Sequence, residues 1–241
     1  MGAEDNEIYS KHSSKQFNED LEGLRTDFLT MGGIVERQVE DAITGLLNQD
    51  IDRAESAREL DRETNEYERK IDAKCTQIIA LRQPTAVDLR LVISINRAVA
   101  DIERIGDEAT RVAKQAIDLA NSETSTKGLQ EVRHIGQLVS EMLKDVLTAF
   151  ARRDMELAYD VVKRDNKVDR EYQSAMRSLV TYMMEDSRSI SSVLNVIWVL
   201  RALERIGDHS CNLAEQLIYQ VSGADVRHMS TDQVRDIVEE E

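Results

Sequence analysis

Proline, cysteine and aromatic residues are scarce in this chain of 241 residues. With one proline and an aromatic content of 4%, the composition favours long uninterrupted helices. The two cysteines, Cys75 and Cys211, stand alone, which excludes a CxxC motif or another cysteine spacing typical of metal sites. We interpret them as the free, buried thiols of a cytosolic protein.

Basic charge and long apolar runs are equally limited. The net charge of −15 argues against direct nucleic-acid binding, because proteins with that function carry a basic footprint. The most apolar run, 193–203, contains an arginine and is too short to span a bilayer. Residues 1–12 are polar and show no signal region. The sequence therefore predicts a soluble protein that reaches a membrane only through partners.

The most informative pattern is the pentapeptide ERIGD, which occurs at 103–107 and again at 204–208. Apolar residues recur around it at three- and four-residue steps, which predicts an amphipathic helix. The Glu and the Asp of each copy then lie side by side on the flank of the apolar face. A mid-helix glycine costs about 1 kcal/mol relative to alanine, so Gly106 indicates a neighbouring helix that packs closely there.

The two copies belong to a tandem duplication. Equivalent residues upstream of the copies lie 104 positions apart, as Asp61 and Asp165 do, and the copies themselves lie 101 apart. The first unit accounts for this difference with a longer loop around Pro84. Each unit carries three helical stretches joined by short loops. The predicted fold is therefore all-α, with two tandem, sequence-related three-helix bundles of long antiparallel helices.

Apolar periodicity and turn residues place the boundaries. Six helices are expected, at about 17–48, 51–82, 86–120, 129–152, 155–185 and 190–221. They form two domains, 13–122 and 127–222, flanked by polar tails at 1–12 and 223–241.

Three local signals refine these boundaries. Thr85 and Asp88 form a plausible capping box at the start of the third helix. The polar segment 121–128 is the predicted linker between the units. Thr231 is the expected cap of a short helix in the second tail.

Oxygen-bearing side chains of neighbouring helices are expected to converge. The second helix of each unit carries its own pair four residues apart, Asp61 with Asn65 and Asp165 with Asp169. Helices two and three of a bundle are neighbours, so these pairs can meet the acids of the ERIGD copies. Those acids are Glu103, Asp107, Glu204 and Asp208. Four such groups on two facing helices resemble the di-metal carboxylate sites of bundle proteins and suit Mg, Mn, Ca or iron better than zinc.

A solvated acidic face is the simpler interpretation of a single pair, and it stays open beside the metal hypothesis. Arg111 and Arg201, close in sequence to an ERIGD acid, are interpreted as local charge compensation. A redox-active di-iron site needs two Glu-x-x-His motifs, whereas only Glu131 to His134 matches, so that enzyme class is disfavoured.

The remaining candidates are interpreted as structural. His209 follows Asp208 directly, points away from it and is expected at the boundary of the core. Cys75, the methionines and Trp198 are expected inside the core. Neither a Gly-rich phosphate loop nor a nucleophile elbow occurs.

Several segments resemble the PhoU family: the two ERIGD helices, MGG at 31–33, RQPTAVDLR at 82–90 and TYMMEDSR at 181–188. The resemblance extends over essentially the whole chain. It implies a cytoplasmic, non-enzymatic protein of two three-helix bundles that often forms a homodimer. It further implies a negative regulator of the phosphate-starvation response, which restrains phosphate uptake and links the cytoplasmic subunits of a phosphate ABC transporter to a sensor histidine kinase. Such a protein is peripheral to the inner membrane through its partners.

The resemblance also implies a ligand set for divalent or trivalent metal ions, including multinuclear iron clusters. The family motif Glu/Asp-x-x-x-Asp falls on the ERIGD acids, with counterparts at Asp61, Asn65, Asp165 and Asp169; Asn65 departs from an all-carboxylate set.

Two alternatives remain at this point. A metal-dependent bundle enzyme or metal-storage protein would use the same carboxylates, although no general base stands out. A helical adaptor without metal would use the acidic faces only to dock on basic partners.

Overall fold

The structure, a computed structural model, describes residues 3–121 and 127–240, with side chains described from residue 15 onward. Within these ranges the chain is helical and contains no strand. The helices are α1 (Ala3–Asn48), α2 (Ile51–Arg82), α3 (Ala86–Ala120), α4 (Leu129–Arg152), α5 (Met155–Glu185), α6 (Ile190–Ser222) and α7 (Thr231–Glu239). The all-α prediction is confirmed. None of the described helices is long and apolar enough to cross a membrane.

Each unit is a bundle of three helices, with α1, α2 and α3 in unit one and α4, α5 and α6 in unit two. The duplication is visible in how the second helix of each bundle begins. Asp50 accepts a hydrogen bond from the Arg53 backbone N–H at 3.1 Å, and Asp154 accepts one from the Leu157 backbone N–H at 2.9 Å. These matching N-caps satisfy backbone donors that would otherwise lack partners, so α2 and α5 start at equivalent positions.

The two bundles meet along α1 with α4 and along α3 with α6, which leaves α2 and α5 on the outside. The contact between α1 and α4 is reciprocal. Gly32 of α1 lies against Leu147 of α4, and Gly136 of α4 lies against Ile43 of α1. A Cβ at Gly32 would collide with the Leu147 side chain, so these glycines let large apolar side chains approach the backbone closely.

Helices α3 and α6 run antiparallel and bury polar pairs between them. His209 Nδ1 lies 2.9 Å from Asp101 Oδ1, which also accepts a hydrogen bond from Asn212 at 3.2 Å. Nearer the end of α3, the buried Glu108 carboxylate contacts Arg205 of α6 at 2.7 Å. Any shift of one helix along the other would leave these buried groups without partners, so they fix the register of the two units.

Several boundaries differ from prediction. Thr85 is the N-cap of α3 but makes no side-chain capping bond; its carbonyl accepts the Asp88 N–H at 3.1 Å instead. Helix α7 is capped by Ser230, which forms a capping box with Gln233, because Thr231 already lies inside the helix.

At the other end of the chain, α1 begins at Ala3 rather than near residue 17. The linker residues 122–126, and the side chains of the predicted tail at 1–12, lie outside the described part of the chain. The domain boundaries stay predictions.

The expected core positions are correct for Cys75, Met31 and Met142, which are buried, whereas Cys211 is only partly buried. The expectation is wrong for Trp198, Met184 and Met229, which are 65%, 83% and 41% exposed. Trp198 and Gln115 line the same surface cavity. Helix α3 continues past Gln115 to Ala120, so it runs beside the indole without covering it.

Candidate metal centre

Three of the predicted ligands meet in unit two. Helix α5 provides Asp169 and α6 provides Glu204 and Asp208, and one carboxylate oxygen from each lies within 4.8 Å of the other two. Across the described residues, no other group of three His, Cys, Asp or Glu side chains comes this close. The structure thus brings together the acids of helices two and three in unit two, as the sequence predicted.

Asp165 lies one helical turn before Asp169 and closes the inner side of this cluster. Its Oδ1 atom is buried and has no hydrogen-bond partner, and it lies over Gly207, where a Cβ would come within 3.7 Å. Burial, followed by the charges of Asp208 and Asp169, raises the pKa of Asp165 to about 7.

The acids of α6 experience the same environment. The pKa of Glu204 is raised mainly by burial and next by the charge of Asp208. The pKa of Asp208 is raised mainly by burial and next by the charge of Asp169. Glu204 Oε2 is also buried without a hydrogen-bond donor. The cluster therefore contains more carboxylate charge than its protein neighbours stabilise.

In the corresponding region of unit one, neighbouring side chains donate hydrogen bonds to Asp61. Asp61 accepts one bond from Asn65 and another from the Thr110 hydroxyl, both at 3.3 Å. Gln38, reaching over from α1, donates to Thr110 Oγ1 and to the Gly106 carbonyl, each at 3.0 Å. The predicted close approach at Gly106 is confirmed, because a Cβ there would lie 3.1 Å from Gln38 Oε1.

Unit two lacks these donors because of three sequence differences. Met142 stands at the position of Gln38, Cys211 at that of Thr110 and Asp169 at that of Asn65. A thioether donates no hydrogen bond, a thiol donates weakly and a carboxylate adds charge. Protein donors therefore satisfy Asp61 on the second helix of unit one, whereas the equivalent carboxylate of unit two, Asp165, is short of donors.

Sequence reasoning missed Glu68. It lies on α2, and burial, followed by Asp72, raises its pKa. The pKa of Glu103 is raised mainly by burial, and then by the charges of Asp107 and Glu68. The signal was available in the sequence, since Glu68 lies seven residues after Asp61 and thus on the same helical face. Its counterpart in unit two is Tyr172, so the extra acid belongs to unit one alone.

Other expected contacts have different partners. Arg111 pairs with Glu108 at 2.6 Å rather than with Asp107, which is exposed, whereas Arg201 pairs with Glu204 at 3.4 Å as expected. His134 lies 3.7 Å from Glu171 of α5.

The residues of unit two fit an oxygen-ligated cation. Asp169, Glu204 and Asp208 supply carboxylate oxygens from two helices, and the buried unpaired atoms of Asp165 and Glu204 indicate missing positive charge. Oxygen ligands of this type suit Mg²⁺, Mn²⁺, Ca²⁺ or iron. In unit one, Asp61 already accepts two hydrogen bonds, so the fit there is poorer.

Fold and site together define a class: tandem three-helix-bundle proteins with carboxylate clusters between the second and third helices. A sequence profile of the PhoU domain matches residues 28–116 and 132–217. The chain belongs to the PhoU family. This family consists of regulatory accessory proteins rather than enzymes, so the enzyme alternative is set aside.

Individual relatives agree with this assignment. The chain is 55% identical over 223 residues to a phosphate-specific transport system accessory protein PhoU homolog of Pseudomonas putida, covering 92% of this chain and 87% of the relative. It is 46% identical to the Escherichia coli (strain K12) accessory protein PhoU, covering 93% of each chain.

Solved structures agree as well. The crystal structure of PhoU from Pseudomonas aeruginosa is similar with a TM-score of 0.85 at 54% identity, covering 86% of this chain and 100% of that one. PhoU from Streptococcus pneumoniae gives a TM-score of 0.79 at 28% identity, covering 86% of this chain and 98% of that one.

The donor-poor cluster predicts a pH dependence of stability. Asp165 has a pKa of about 7 in the folded protein, above its ordinary value of 3.8, so the folded state holds its proton more tightly than the unfolded state. Its contribution to stability is present below about pH 4 and is lost as pH rises to about 7. Denaturant unfolding of metal-free protein in chelator should therefore show Asp165→Asn gaining stability over wild type across this range. The matched variant Asp61→Asn should show no such gain. If the unfolding free energy of wild type and of Asp165→Asn changed equally with pH, the raised pKa of Asp165 would be contradicted.

Proposed function

We propose that this chain is a cytoplasmic negative regulator of the phosphate-starvation response that also restrains phosphate uptake. In this role it is an adaptor between the cytoplasmic subunits of a phosphate ABC transporter and a sensor histidine kinase. The observation that carries the proposal is the identity of 46–55% over more than nine-tenths of the chain to accessory proteins of phosphate-specific transport systems.

The architecture suits an adaptor. The buried contacts along both helix pairs between the units make a stiff body with α2 and α5 exposed on opposite units. The net charge of −15 would favour basic partner surfaces and give contacts that weaken as salt increases. A homodimer would present each of these faces twice.

A cation at Asp169, Glu204 and Asp208 would neutralise the clustered carboxylates of unit two. The ligands come from α5 and α6, so a bound ion would brace these two helices against each other. Regulation would then depend on metal through the rigidity of unit two.

Complementation in Escherichia coli tests the regulatory role. In a strain that lacks its own PhoU, expression of this chain should restore repression of a phosphate-starvation reporter at high phosphate. Uptake of radiolabelled phosphate should fall in the same cells. A variant with Glu204→Gln and Asp208→Asn should repress less, and Glu103→Gln with Asp107→Asn is its matched control.

Two outcomes would contradict this account. Unchanged reporter activity with well-expressed wild-type chain would overturn the regulatory proposal. Full repression by both variant pairs would retain the adaptor role and remove the metal from it.

A further inference from the structure

An exposed apolar stripe runs along the first half of α6. Ile190, Leu194 and Trp198 follow at four-residue steps, which places them on one face, and they are 41%, 45% and 65% exposed. Contiguous exposed apolar surface marks interaction sites, and tryptophan is among the residues most enriched in protein interfaces. We call these three residues the α6 stripe.

The α6 stripe leads into a cavity of about 340 Å³ between α3 and α6. The residues that line the cavity are Glu108, Arg111, Gln115, Trp198, Arg201, Ala202 and Arg205. We call it the arginine cavity. Tryptophan and arginine are among the residues that contribute most to binding at protein interfaces, and this cavity contains both.

Glu108 holds two of these arginines in place. Its Oε1 atom contacts Arg111 Nη1 at 2.6 Å and Arg205 Nη1 at 2.7 Å, and its side chain is only 3% exposed. A guanidinium has five N–H donors, so each arginine retains donors for another acceptor. The arginines are therefore positioned before any ligand arrives, which lowers the entropy cost of binding.

The charge around the arginine cavity favours an acidic ligand. Three guanidinium groups outnumber the two carboxylates that contact them, Glu108 and Glu204, in a chain whose net charge is −15. Gln115 Oε1 is buried without a donor. The local surface thus offers positive charge beside an apolar face, in contrast to the protein as a whole.

The duplication shows that the stripe is specific to unit two. The counterparts of the stripe in unit one, 101 positions earlier, are Leu89, Ile93 and Arg97. Leu89 and Ile93 are half-buried, and Arg97 lies over the Tyr219 ring of α6 at 5.8 Å. A fully apolar, exposed face at these positions therefore belongs to unit two alone, because Arg97 stands in unit one where unit two has Trp198.

We propose that the α6 stripe and the arginine cavity dock an acidic amphipathic helix of a protein partner. Apolar side chains of that helix pack on Leu194 and Trp198, and its carboxylates pair with Arg201 and Arg205. This inference rests on the adaptor role proposed above and deepens it, because it assigns the face and the chemistry of one partner.

Peptide selection on the purified full-length chain tests the surface without depending on phosphate regulation. A displayed library of random 16-residue peptides is selected on wild type and counter-selected on Leu194→Ser. Selected peptides should be acidic, with apolar residues at helical spacing, and should change the fluorescence of Trp198, the only tryptophan of the chain.

Labelled peptides then give affinities by fluorescence anisotropy. Leu194→Ser should weaken binding about tenfold or more, and Arg201→Gln about threefold or more with a reduced salt dependence. The matched controls are Leu81→Ser, also at an exposed apolar position, and Arg62→Gln, both on α2, and neither should change affinity.

Three results would overturn the proposal. The first is selected peptides that lack acidic residues or bind the variants as tightly as wild type. The second is light scattering that shows a wild-type dimer lost in Leu194→Ser, which would assign the surface to a second copy of the chain. The third is vesicles of phosphatidylglycerol that bind wild type but not Leu194→Ser, which would assign it to a lipid surface.

Discussion

Metal binding should be lost when Glu204→Gln and Asp208→Asn are combined, and retained when Glu103→Gln and Asp107→Asn are combined. The reason is the difference between the units. The unit-two cluster draws three carboxylates within 4.8 Å and leaves Asp165 Oδ1 without a donor, whereas protein hydrogen bonds already satisfy Asp61 in unit one. Elemental analysis of untagged protein should find roughly one ion per chain in wild type and less than roughly a tenth of that in the unit-two variant.

Thermal unfolding provides a second measurement of the same asymmetry. At a metal concentration 100 times its dissociation constant, wild type should gain about 2.7 kcal/mol of unfolding free energy. The unit-one variant should gain as much, and the unit-two variant almost nothing. If both variants lost bound metal equally, the hydrogen bonds of unit one would not compete with a cation. If wild type contained no metal, the proposed site would be refuted.

Phe28→Ala should have the largest effect on stability, a loss of about 3–5 kcal/mol of unfolding free energy. Phe28 of α1 is 1% exposed, and its ring centroid lies 4.8 Å from that of Phe150 on α4. Truncation thus removes a contact that joins the two units and leaves a cavity between them. Urea unfolding followed by circular dichroism measures the change.

Two further variants separate this contact from general loss of apolar area. Phe28→Leu keeps most of the volume and should lose less than about 1.5 kcal/mol. Leu81→Ala, at a position 68% exposed on α2, should stay within about 0.5 kcal/mol of wild type. A loss for Phe28→Ala as small as that for Leu81→Ala would show that the α1 and α4 contact contributes little to stability.

Periodicity was sufficient to predict the all-α fold and most helix boundaries, because long amphipathic helices repeat their apolar face many times. The expected starts at Ile51, Ala86 and Met155 are those of the structure. The start of α1 was missed because its first residues show no apolar stripe, although the structure places it at Ala3. The exposure of Trp198 was missed because periodicity gives a face of α6 but not whether a neighbouring helix covers that face.

The site was predictable where it depends on spacing within a helix or on neighbouring helices of one bundle. The convergence of Asp169 with Glu204 and Asp208 is of this kind. The donors that satisfy Asp61 were not predictable, because Gln38 reaches Thr110 from a helix outside the facing pair. Likewise, no spacing rule relates His209 to Asp101, which belong to different units.

The antiparallel crossing of α3 and α6 also distinguishes unit two from a second copy of unit one. Position 209 of unit two corresponds to 108 of unit one, so two copies of unit one joined in the same way would bring Asp101 against Glu108 in place of His209. Two buried carboxylates would then face each other at each of two symmetric places, at a high electrostatic cost. The α3 face of unit one is thus complementary to α6 of its own chain and not to a second α3.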